Sequence, residues 1–262
     1  MNNLFELAYD CLVESRLEIK LEKTVTAANC ILGETVGRSA VILPVIVPGR
    51  PLQPELIAPQ RLPARKLSSL EGRAAMIHSF AHIEFNAVNL AWDIICRFQS
   101  MPSQFYRDWA QVAAEEASHF NLLQQRLQAL GFAYGDFPAH DGLWQMAEDT
   151  AHDILLRLAV VPRILEARGL DVTPDLINRF NEIGDMETVS VLETIYQDEI
   201  GHVKIGSHWF YHVCRERKVK PEQTFRDIFR DYAPRGTSRI NREARSRAGF
   251  SLTELDAICN QR

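Results

Sequence analysis

At 262 residues the chain can bury one large core or two modest ones, and 46% apolar with 24% charged residues excludes a disordered or fibrous protein. A formal charge of −5 excludes a protein dominated by nucleic-acid binding, although a local basic patch is compatible with it. Cys11, Cys30, Cys96, Cys214 and Cys259 are scattered, with no C-x-x-C, which excludes a disulfide frame or a thiolate metal site.

The first ten residues, MNNLFELAYD, carry acids where a signal peptide would be basic. The longest apolar run, AVILPVIVPG at 40–49, is too short to span a bilayer and is broken by proline. These features predict a cytoplasmic protein with reduced thiols and no membrane contact. Residues 3–30 read as largely helical, with Leu4, Leu7, Ala8 and Cys11 on one stripe. Residues 38–66 hold Pro44, Pro48, Pro51, Pro54, Pro59 and Pro63, which forbid a long helix and predict an extended arm.

From Glu71 the period changes to that of long amphipathic helices. The first, over 71–99, aligns Ile77, Phe80, Glu84, Val88, Ala91, Ile95 and Phe98. After the break at Met101-Pro102-Ser103, a second over 103–130 aligns Val112, Glu116, His119, Leu123, Leu127 and Leu130, with Gly131 as its stop. A third over 143–168 carries Leu155, Ala159, Pro162 and Glu166 and ends at Gly169, before a short helix from Pro174 to Gly184. The fourth, over 186–217, aligns Leu192, Ile195, Glu199, His202, Gly206 and Trp209. The predicted fold is all-α: a four-helix bundle over 71–217, a helical and Pro-rich arm over 1–70 packed on it, and a basic extension over 218–262.

Glu and His three residues apart on a helix project from one face and can share a ligand. Chance placement at this composition gives roughly 0.6 such pairs, so one alone would be uninformative. Here there are two, Glu116…His119 and Glu199…His202, both on core-facing stripes. Each has an in-register glutamate upstream, Glu84 by 32 residues and Glu166 by 33. Charged groups on such stripes require a partner. Four carboxylates are balanced by two divalent cations, and carboxylate with imidazole suits iron or manganese better than zinc. Glu84, Glu116, His119, Glu166, Glu199 and His202 are thus the candidate metal ligands, with Glu116 and Glu199 best placed to bridge. Glu115 and Asp198 each precede a ligand glutamate and are candidates to orient the metal-bound histidines; solvated acids are the alternative. Pro162, one turn before Glu166, predicts a kink that aims Glu166 or opens a pocket, with a packing accident as the equal alternative. Arg235, Arg239, Arg242, Arg245 and Arg247, with Arg215, Arg217 and Lys218, form a candidate phosphate or RNA patch. His78, His82, His140, His152, His208 and His212 read as structural.

The order Glu, Glu-x-x-His, Glu, Glu-x-x-His resembles the ferritin-like di-metal carboxylate superfamily over residues 71–217. The strings AHIEFNAVNLAWD, EEASHFNLLQQRL, YGDFPAHDGLW, LEARGLDVTP and DEIGHVKIG are similar to an uncharacterised bacterial family of ferritin-like proteins, known as a domain of unknown function. The resemblance implies a ferritin-like bundle holding two irons, or manganese or a mixed pair, that reacts with dioxygen or peroxide. It does not imply one reaction. An oxidase or monooxygenase acting on an unidentified substrate, with an electron-donor protein, is the leading reading, and a tRNA-modifying hydroxylase is a narrower form of it. Iron handling or peroxide removal, and a bundle with structural metals, are the alternatives.

Overall fold

The computed structural model describes residues 3–33, 36–38, 41–63, 66–233 and 240–260. All regular elements among them are helical. The chain divides into two compact units, Met1–Gln145 and Met146–Arg262.

In the first unit, α1 (Leu4–Val13) starts at Asn3, whose side chain accepts from the amides of Phe5 and Glu6 at 3.0 and 3.5 Å. α2 (Leu17–Gly33) folds back beside it. Its Lys20 is fully buried and donates to the carbonyls of Cys11 and Leu12 and to Asn89 Oδ1 at 2.8, 2.9 and 2.7 Å. α3 (Leu70–Arg97) is capped by Ser69 and packs along α4 (Ser103–Ala129). α1 lies against α3, and α2 against α4. Gly131 ends α4 as expected: at φ 82° it lets the Phe132 amide reach back to the Leu127 carbonyl at 3.0 Å.

Among the described residues of the proline-rich arm, 41–63, the regular element is one 3-10 turn, Pro59–Arg61. Side-chain donors pin its carbonyls: Gln99 to Ile42 at 2.9 Å, Arg97 to Val45 at 3.0 Å and Trp144 to Ile46 at 3.0 Å. Proline removes amide donors but not acceptors, and the non-proline amides of Gly49 and Ile57 add bonds to the Leu12 and Ala139 carbonyls at 2.8 and 2.9 Å.

α5 (Gly142–Asp149) carries the chain from the first unit into the second. Here the structure corrects the sequence. The helix expected over 143–168 is three pieces: α5, then α6 (Ile154–Val160), then a π-helical segment, Val161–Glu166. Asp153 opens α6 by accepting from the amides of Leu155 and Leu156 at 2.7 and 3.4 Å, a cap that stops helix from running through 150–153. Pro162 lacks an amide hydrogen, and the ladder widens there.

A second correction follows directly. Gly169 does not end a helix and Pro174 does not begin one, because α7 (Ala167–Glu182) runs through both. Ala167, Leu170, Thr173, Leu176 and Phe180 are buried at helical spacing, and that stripe overrides costs of about 1 kcal/mol for Gly and about 3 for Pro. α8 (Met186–Glu216) is as expected and packs against α6, the π segment and α7. α9 (Pro221–Tyr232), α10 (Arg242–Arg247) and α11 (Leu252–Asn260) complete the unit.

Gly206 of α8 is required by a close approach. A Cβ there would lie 2.4 Å from Pro162 Cβ and 2.6 Å from its Cγ. The proline ring is tied to backbone and cannot swing away. Gly206→Ala is expected to lower stability by about 1–3 kcal/mol through overpacking, read as a lower urea midpoint with an unchanged slope. An unaltered midpoint would show that the π segment shifts freely. Among the described residues all five cysteines are free, and no helix is long and apolar enough to cross a membrane.

Candidate metal centre

The first unit brings three expected ligands together. Glu84 on α3 and Glu116 and His119 on α4 are 3%, 1% and 1% exposed, so the cluster is out of water. One donor atom from each lies within 4.8 Å of the others. His119 Nδ1 is 3.4 Å from Glu84 Oε2 and 3.5 Å from Glu116 Oε2. Burial opposes a charged imidazole, but the Glu116 and Glu84 carboxylates outweigh it and push the His119 pKa up to about 11. Two buried carboxylates facing one imidazole leave net negative charge even with the ring protonated. A divalent cation beside a neutral ring removes it, so the donor set fits a metal ion.

α8 of the second unit carries the second Glu-x-x-His pair. His202 Nδ1 lies 3.4 Å from Glu199 Oε1, with His202 buried and Glu199 half-buried. Glu166 is half-buried at the last position of the π segment, which packs on α8. Each unit therefore supplies two glutamates and one histidine from neighbouring helices.

Residues 13–256 match the family described as "Protein of unknown function (DUF455)". The chain belongs to the DUF455 family. All six candidate ligands fall inside the matched region. A protein of Haemophilus influenzae, described as uncharacterized, is 44% identical over 218 residues, covering 79% of this chain and 75% of its own length. No solved structure matches the chain.

Around the first half-site this DUF455 chain builds an aromatic wall that the helix periodicity does not reveal. Phe85 and Phe120, neighbours in sequence of Glu84 and His119, pack on Tyr134 with ring centroids 5.9 and 4.9 Å apart. Tyr134 Oη meets His82 Nδ1 at 2.8 Å, and burial raises the Tyr134 pKa. His78 Nε2 accepts from the Gly135 amide at 2.9 Å. These two histidines fasten the 131–141 loop to α3. A cavity of about 90 Å³ beside them, lined by Ser79, His82, Asn86, His140 and Leu143 among others, includes none of the candidate ligands.

Glu115 is half-buried and accepts from Gln111 at 2.9 Å, whereas Asp198 is exposed. Of the C-terminal arginines, Arg235 and Arg239 lie outside the described residues. Arg245 is 1% exposed and pairs with Asp171 at 2.6 Å, so it belongs to the packing of its unit and not to a surface patch. Arg242 pairs with Asp256 at 2.8 Å, and Arg217 with Asp153 at 2.8 Å.

Proposed function

We propose that the two half-sites serve one dinuclear centre in a ferritin-like four-helix arrangement of α3, α4, the α6–α7 stretch and α8, and that the protein is an oxygen-activating oxidase or monooxygenase. The observation that carries this reading is the buried Glu84–Glu116–His119 cluster, supported by the Glu199–His202 pair on α8. Paired glutamates with a Glu-x-x-His on each of two helices form the ligand set of di-iron and di-manganese carboxylate bundles. Glu116 and Glu199 would bridge, Glu84 and Glu166 would each hold one ion, and His119 and His202 would complete one each. Iron is the expected metal, with manganese or a mixed pair as the other candidates. When bound, two ferrous ions supply electrons to dioxygen.

The chain's own residues do the rest. The near-complete burial of Glu84, Glu116 and His119 would keep water from the ion they hold. Glu115 and Asp198 would orient the imidazoles. The reading calls for an organic substrate, with a tRNA nucleoside as one candidate, and an electron donor.

The test is anaerobic loading of the metal-free protein with ferrous iron, followed by dioxygen. Uptake of about two irons per chain, oxygen consumption and a rising ferric absorption are expected. Oxidised iron accumulating beyond that amount would favour iron storage. Bound iron inert to oxygen would indicate structural metals, and no binding would overturn the proposal.

A further inference from the structure

The stretch just before Glu166 combines two costly features. It is π-helical, and it contains Arg163, whose side chain is fully buried. The guanidinium donates to Glu254 Oε2 at 2.9 Å and to Ser207 Oγ at 3.2 Å. It also stacks within 4.3–5.1 Å of the rings of Phe210, Tyr211, Phe225 and Phe250. Glu254 is itself fully buried on α11, where it also accepts from Tyr211 Oη at 2.5 Å and from the Ser251 amide at 2.9 Å. The pair is nevertheless incomplete. Among the described residues Arg163 Nη1 and Glu254 Oε1 find no hydrogen-bond partner, so the contact is not bidentate.

A buried pair of this kind seldom adds stability over an apolar replacement of the same shape. What it does here is fix position. Pro162 fits against Gly206 and Arg163 against Ser207, one turn beyond His202 on α8. These contacts set how the π segment lies along the helix that carries Glu199 and His202. Glu166 is three residues beyond Arg163 in that same segment.

We propose that Arg163, held from the C-terminal segment by Glu254 and Phe250, is a positioning residue that fixes Glu166 for metal binding. The inference rests on the dinuclear reading above. α9 to α11 thereby act as a clamp: Phe225 and Phe250 close the cage around the guanidinium, and Glu254 holds its charge.

The test uses full-length protein and manganous ion alone, with bound metal counted after equilibrium dialysis and thermal unfolding followed on the metal-free chain. Wild type is compared with Arg163→Met, Glu254→Gln and the double variant. Glu254→Gln keeps the shape of the side chain, so it stays informative if Arg163→Met fails to fold. Each single variant is expected to bind one of its two ions at least tenfold more weakly and to unfold at lower temperature. The double variant, with no buried charge left unpaired, should regain thermal stability but not the lost metal affinity.

A purely structural role predicts that metal binding and stability recover together, and that result would overturn the inference. Singles that hold two ions as tightly as wild type would overturn it as well, while leaving the dinuclear reading intact. A wild type that binds no metal would overturn both.

Discussion

Glu116→Ala is expected to strip most of the metal from the purified protein, and Glu199→Ala to do the same, against about two ions per chain in wild type. Glu116 is 1% exposed and faces His119, which also faces Glu84. Without it, one glutamate and one histidine remain on that half, too few donors to displace the water shell of a divalent ion. If Glu199 bridges, its loss weakens both ions. If the half-sites bind independently, Glu199→Ala should instead halve the metal and leave the first-unit ion untouched. Metal analysis of the two variants separates these cases, and full retention in both would end the assignment.

The same substitution bears on stability. In the metal-free chain, Glu84 and Glu116 both face His119, so a buried carboxylate is left in excess of the positive charge. Removing one relieves that excess. Metal-free Glu116→Ala is therefore expected to unfold no more easily than metal-free wild type, while losing the extra stability that metal confers on wild type. A group retained for packing would show the opposite pattern.

The clustering of Glu84, Glu116 and His119 was legible because residues at helical spacing share a face. Glu84, Glu116 and His119 interrupt apolar stripes at the spacing that places them on one face, and α3, α4 and α8 were readable to within a few residues from the same stripes. The third long helix was not. Asp153 caps locally, but its string looks like any acid in a helix, and the π segment at Pro162 packs against a glycine 44 positions away on α8. Gly169 and Pro174 misled because local propensity is outweighed by burial of Leu170, Thr173 and Leu176. The buried cations were invisible for a related reason. Lys20 meets Asn89 across 69 residues, Arg245 meets Asp171 across 74, and Arg163 meets Glu254 across 91. No window along the sequence contains both partners.

Lys20 carries the second large effect. Lys20→Met is expected to destabilise the protein by about 3–5 kcal/mol, because methionine matches the alkyl stem but leaves three buried acceptors without their donor. Two of those acceptors, the carbonyls of Cys11 and Leu12, belong to the last turn of α1, so the ammonium also faces the negative end of that helix. Burial pushes the Lys20 pKa down to about 7 from its ordinary 10.5. The unfolded chain keeps the proton up to the ordinary value, and the folded chain releases it above about 7. Between these limits the unfolded state binds more protons, so the contribution of Lys20 to stability rises with pH, by at most about 1.4 kcal/mol per unit. Below the folded value it is constant. The stability gap between wild type and Lys20→Met, taken from urea unfolding at pH 6 and pH 9, is therefore expected to widen at the higher pH. The three acceptors work against this, since a neutral amine has only two hydrogens to offer them. A gap that stays large but constant would show that the acceptors outweigh burial and keep the ammonium charged throughout.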